Sequence, residues 1–125
     1  MLFRVTCKYK SNINPTMTKL ELLIESVEKR LPISFQYNKR GKIEGVRTGN
    51  VHAVFIFTSK AGVQSTKADM YQTEGVSDTA GIPDWRPFNI EDITDVKILE
   101  EAGQFEVADG YNPNCDKYDK PLAKI

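Results

Sequence analysis

The chain has 125 residues, 40% of them apolar and 27% charged, which suits one domain with a modest core and excludes wholesale disorder. Seventeen basic residues balance seventeen acidic ones, so no global field draws nucleic acid or anionic lipid, and only a local patch can do so. No apolar run approaches the roughly 20 residues that span a bilayer, and the opening residues are too few and too polar for a secretory signal, so a cytoplasmic protein is expected.

Residues 1–16 differ from the rest and close on the turn-rich stretch Ser11-Asn12-Ile13-Asn14-Pro15-Thr16. Met17 then stands directly before a helix start. The expected division is an N-terminal extension at 1–16 and a domain at 17–125; the other reading is an edge strand built from Phe3-Arg4-Val5-Thr6. Cys7 and Cys115 form neither a disulfide framework nor a metal-ligand spacing, and both read as free thiols of a reducing compartment.

A helix is expected over 18–31. Thr18 and Glu21 make a capping-box pattern, and Leu20, Leu23, Ile24, Val27 and Leu31 fall on one face. Glu25 and Lys29 pair on the outside, and Pro32 ends the helix. Ile33, Phe35 and Tyr37 alternate with polar residues as in a half-buried strand, and 38–42 reads as a hairpin turn. Further strands are expected at 44–59, 63–72 and 85–90, with a loop at 73–84. Ile93, Val96 and Ile98 mark a short fifth strand. Beyond Gly103 the pattern fades into the turn cluster Gly110-Tyr111-Asn112-Pro113-Asn114. One helix followed by about five short strands predicts a mainly β, α+β architecture: a small open or closed barrel with the helix at one end.

Motifs for chemistry are scarce. The single histidine, His52, sits in a strand between Val51 and Ala53 and reads as a surface or lightly packed residue. No nucleophile elbow, zinc-protease motif or phosphate-binding glycine loop occurs. The carboxylates Asp92, Asp95, Glu100, Glu101 and Glu106 read as a solvated stretch, because acid–base chemistry needs two carboxylates in different environments across a cleft. The chain is therefore expected not to be an enzyme, to bind no metal and to need no cofactor.

Binding residues are easier to nominate. Lys39, Arg40 and Lys42 on the first hairpin, with Tyr37 beside them, can contact the phosphates of nucleic acid or serve solubility. Tyr71-Gln72 and Trp85-Arg86-Pro87-Phe88 flank the 73–84 loop. An aromatic residue, an amide and a guanidinium at strand ends can line a ligand pocket, or Trp85 and Phe88 can simply pack there.

These residues carry a resemblance. The order of features resembles a WYL domain of the short, stand-alone kind, over about residues 17–119. The matching blocks are the strand Leu31-Pro32-Ile33-Ser34-Phe35-Gln36-Tyr37, Arg47 after the first hairpin, and Met70-Tyr71-Gln72-Thr73-Glu74-Gly75. Trp85-Arg86-Pro87-Phe88-Asn89-Ile90-Glu91-Asp92-Ile93 follows, then Phe105 and Gly110 to Asn114. The chain departs from the pattern at Thr48-Gly49-Asn50, where the family often has an acidic residue and proline, and at Ala108-Asp109, where an arginine is usual. The resemblance implies an Sm-like small β-barrel and a ligand-sensing module. Its implied ligand is a nucleotide or single-stranded nucleic acid. On this reading Arg47 and Arg86 hold phosphate, Tyr71 or Trp85 stacks a base, and Gln72 reads a base edge or fixes the loop. The alternative is a protein–protein adaptor that docks through a strand edge or the 73–84 loop.

Overall fold

In the computed structural model, residues 17–79 and 81–125 are described; the reading of 1–16, Cys7 included, falls outside them. Helix α1 spans Lys19–Lys29. Six strands follow: β1 (Ile33–Tyr37), β2 (Val46–Thr58), β3 (Gln64–Gly75), β4 (Asp84–Asn89), β5 (Ile93–Ile98) and β6 (Pro121–Lys124). They form one antiparallel sheet in the order β4-β3-β2-β1-β5, with β6 paired to β2.

The helix begins where the capping box places it. Glu21 N–H donates to Thr18 Oγ1 at 3.1 Å, and Thr18 N–H donates to Glu21 Oε1 at 2.8 Å. It ends two residues early, at Lys29, because Arg30 turns into the left-handed region at φ 53 and its N–H caps the last carbonyls. Leu23 and Val27 are fully buried, while Leu20, Ile24 and Leu31 are half-buried. The stripe packs on β2, β5 and β6.

The main core joins Leu23 and Val27 to Ile33, Phe35, Tyr37, Val51, Val54, Ala68, Met70, Phe88 and Ile93. Phe88 meets the rings of Phe35 and Tyr37 edge-on at 5.1 and 4.8 Å, an arrangement that suits the ring quadrupoles.

Strand β2 departs from simple alternation. Val51 pairs with Met70, but Ala53, not His52, pairs with Asp69, so His52 is the extra residue of a β-bulge. The bulge turns His52 and Ala53 to the same side. Five consecutive residues, Val51 to Phe55, are therefore buried. Val51 and Val54 face the main core, and Ala53 and Phe55 face a second cluster with Tyr118, Tyr111 and Cys115.

Two expectations need correction. The sheet is not closed into a barrel of about five strands: β4 and β5 remain its two ends, and a sixth strand, β6, occupies part of the β2 edge beyond β1. The link between β4 and β5 is nonetheless a single 3-10 turn, Ile90–Asp92, so the two ends of the sheet approach each other at that corner. The loop expected at 73–84 is shorter, because β3 runs on through Gly75. Gly75 has φ +97, and a Cβ there would overlap the Val46 carbonyl oxygen. Only glycine lets β3 close over Arg47 in this way.

Among the described residues no helix is long and apolar enough to cross a membrane.

Candidate ligand site at the edge of strand β4

Two cavities meet at Arg86 and Pro87, on the edge strand of the sheet. One is basic and the other aromatic.

The basic cavity has a volume of about 290 Å³ and takes Lys39, Lys42, Arg47, Lys67, Arg86 and Asp78 among its lining residues. Arg47 is its most unusual member. It is 1% exposed and lies on β2, with its guanidinium carbon 5.8 Å from the Tyr37 ring centre and 5.6 Å from that of Phe88. Its Nη2 donates to the Ile43 carbonyl and to Asp78 Oδ2, both at 3.0 Å. Its Nε is buried without a hydrogen-bond partner among the described residues. A buried charge held by one carboxylate, and with a spare donor, is costly unless it serves a ligand or an ion.

Asp78 ties this cavity to the first hairpin. One oxygen accepts from Ile43 N–H at 2.6 Å, and the other meets Arg47. These hydrogen bonds, led by that of Ile43, hold its carboxyl below the usual carboxylate range. The first hairpin is thus fastened to the loop before β4. Lys39 and Lys42 line the same cavity as Arg47 and Arg86, whereas Arg40 does not.

Arg86 is held on three sides. Nη1 donates to Asp84 Oδ2 at 3.2 Å and to the Trp85 carbonyl at 2.9 Å, and Nη2 donates to Thr79 Oγ1 at 2.7 Å. Its fork is oriented by protein partners, and an incoming anion competes with Asp84 and Thr79 for it.

The aromatic cavity, of about 180 Å³, is lined by Trp85, Tyr111 and Tyr118, with Asp69 and Lys117 at one end. Trp85 and Tyr111 stack with centres 6.2 Å apart and planes 22° apart. Trp85 Nε1 donates to the Asp109 carbonyl at 2.9 Å, which fixes the indole. Gly110, at φ +90, leaves 3.4 Å between a hypothetical Cβ and that nitrogen, so the turn rests directly on the ring.

His52 stands behind this wall and is fully buried, whereas its sequence context reads as a surface or lightly packed residue. The bulge in β2 is the reason. Its Nδ1 lies 2.9 Å from the Asn50 carbonyl and its Nε2 accepts the Ala108 N–H at 3.0 Å. These contacts fix the neutral tautomer with the proton on Nδ1. Burial lowers its pKa below 6.5. Its ring lies 4.7 Å from Trp85, 5.1 Å from Phe105 and 5.2 Å from Tyr111.

Of the residues nominated from sequence, Arg47, Arg86, Lys39 and Lys42 converge on one cavity, and Trp85 and Arg86 on the other. Tyr71 and Gln72 line neither. Tyr71 packs edge-on against Trp85 at 5.6 Å. Gln72 is fully buried, and its amide donates to the carbonyls of Glu74 (3.2 Å) and Val76 (2.7 Å), so it fixes the start of the loop. Lys67, Asp69, Tyr111, Lys117 and Tyr118 are additions. Of these, only Tyr111 stood in a noted block, Gly110 to Asn114. Asp95, Glu100, Glu101 and Glu106 are exposed and Asp92 is half-buried, so the acidic stretch is mostly solvated.

Comparison with protein-family models finds no match, and comparison with curated proteins finds none either.

Proposed function

We propose that the chain is a non-catalytic binding module for a phosphate-bearing ligand, a nucleotide or single-stranded nucleic acid, and that it acts as a sensor or sequestering domain. The observation that carries this reading is the buried Arg47, whose Nε has no partner among the described residues, set in a cavity with Lys39, Lys42, Lys67 and Arg86. Five cations face one carboxylate, Asp78, so the cavity favours an anion. Phosphate suits it because guanidinium forks and flexible ammonium groups can share its oxygens. The base would extend past the Arg86–Pro87 rim towards Trp85. The finer fold reading, an open, Sm-like curved sheet of the WYL type, is part of this proposal. It is supported by the corner at Ile90–Asp92 that brings the sheet ends together.

The lone tryptophan, Trp85, serves as the reporter. Titration with a panel of nucleotides and short oligonucleotides should change its emission saturably for at least one of them. An unresponsive Trp85, with no heat of binding by calorimetry, would favour the adaptor reading in its place.

A further inference from the structure

The deep end of the aromatic cavity does not suit a phosphate. Asp69 is 4% exposed, and its Oδ2 accepts the Tyr118 hydroxyl at 2.7 Å. A buried carboxylate flanked by aromatic faces attracts cations, through its charge and through the negative faces of the rings. One cation is already there. The Lys117 ammonium lies 2.6 Å from Asp69 Oδ2 and 5.4 Å from the centre of the Tyr118 ring. Lys117 reaches in from a 3-10 turn, Asp116–Tyr118, and its side chain is 48% exposed. It is therefore a tethered occupant and not a buried fixture. A half-exposed lysine spends rotamer freedom to hold one position.

We propose that this cavity is a second binding site, for an organic ammonium group, and that Lys117 is its internal competitor. Asp69 supplies the counter-charge, and Trp85, Tyr111 and Tyr118 supply the walls. The chemistry fits a primary amine, which can replace the Lys117 hydrogen bond, and a methylated amine, which gains more from the rings. Arg86 also borders the cavity, but its charge is turned towards Asp84, with Nη1 3.2 Å from that carboxylate. The space is of the size that holds one small organic group. The charged groups of this site are separate from those of the phosphate site, since Lys117 and Asp69 do not line the basic cavity, while Arg86 and Pro87 border both.

The test follows Trp85 emission while tetramethylammonium chloride or butylammonium chloride is titrated against sodium chloride of equal concentration. The organic cations should give a saturable change, and sodium should not. Lys117→Ala removes the competitor at a half-exposed site and should bind the ammonium probe roughly five-fold tighter. Asp69→Asn, placed in the Lys117→Ala background, should abolish the response. A stronger response to tetramethylammonium would assign methylated amines, and a stronger response to butylammonium would assign primary amines. A response equal to that of sodium in both the wild type and a folded Lys117→Ala variant would overturn the proposal, as would unchanged or weaker binding in Lys117→Ala.

Discussion

Arg47 Nη2 lies 3.0 Å from Asp78 Oδ2, joining the first residues of β2 to the loop before β4. Together with the hydrogen bond from Ile43 N–H to the other Asp78 oxygen, this contact holds the hairpin and the buried guanidinium at a single cavity. It also makes Asp78 an internal anion, sitting on the arginine that a phosphate would seek.

Asp78→Ala should therefore act in two directions. Removing the carboxylate leaves Arg47 with a lost partner in a buried position, at a cost of about 1–3 kcal/mol in stability. The same change removes the one carboxylate of the cavity lining among the described residues, so added inorganic phosphate should raise the unfolding midpoint more in the variant than in the wild type. Thermal melts with and without phosphate check both effects. A variant as stable as the wild type would show that the ion pair contributes nothing.

Stability should also fall in mild acid because of His52. Its folded pKa is lowered by burial, so below the ordinary histidine value of 6.5 the unfolded chain binds a proton that the folded chain refuses. The unfolded state then gains, and stability declines as the pH drops from 6.5 towards the folded pKa. Protonated Nε2 cannot accept the Ala108 N–H, so the 103–112 segment loses its tie. Unfolding midpoints across this range should slope in the wild type and lie flatter in His52→Gln. Equal slopes would place the titrating group elsewhere.

Core truncations should be expensive. Leu23 and Phe35 are 0% and 1% exposed. Leu23→Ala and Phe35→Ala should each cost about 2–5 kcal/mol in denaturant titration. A loss below about 1 kcal/mol at either position would mean that the cavity collapses or that the contacts carry little.

Arg86→Lys should weaken phosphate binding although it keeps the charge. Lysine cannot hold Asp84, the Trp85 carbonyl and Thr79 together, so the group that greets the anion loses its orientation. The expected loss is roughly ten-fold. Undiminished affinity by isothermal titration would remove Arg86 from the site.

What the sequence made legible was local. Thr18, Glu21 and the Leu20–Leu31 stripe carry helix signals within a few residues of one another, and Ile33, Phe35 and Tyr37 alternate cleanly. The bulge at His52 was not legible, because the extra residue is defined by its partners Met70 and Asp69 on another strand. Pro121–Lys124 is short and mostly exposed, and its identity as a strand comes only from pairing with β2. At the site, the residue types of Trp85 and Arg86, and for Arg47 the family resemblance, pointed to ligand binding. Their arrangement depends on Asp78 reaching Ile43 and Arg47, contacts between residues 35 and 31 positions apart. No periodicity encodes such a contact. Gln72 and Tyr71 show the converse: types suited to base recognition that the fold spends on fixing a loop and on packing against an indole.

Phosphate binding in the basic cavity is proposed to rest on a defined set of cations. Its most direct test is isothermal titration of a nucleotide into the wild type, a Lys39→Ala/Lys42→Ala double variant and an Arg40→Ala variant. Lys39 and Lys42 line the cavity and are exposed, so their removal should leave the fold intact. Arg40 shares their charge and hairpin but not the cavity. Binding to the wild type should be saturable and weaken with salt, with a loss of roughly ten-fold in the double variant and no change in Arg40→Ala. No saturable heat with any nucleotide or oligonucleotide, or equal affinity in the double variant and the wild type, would contradict it.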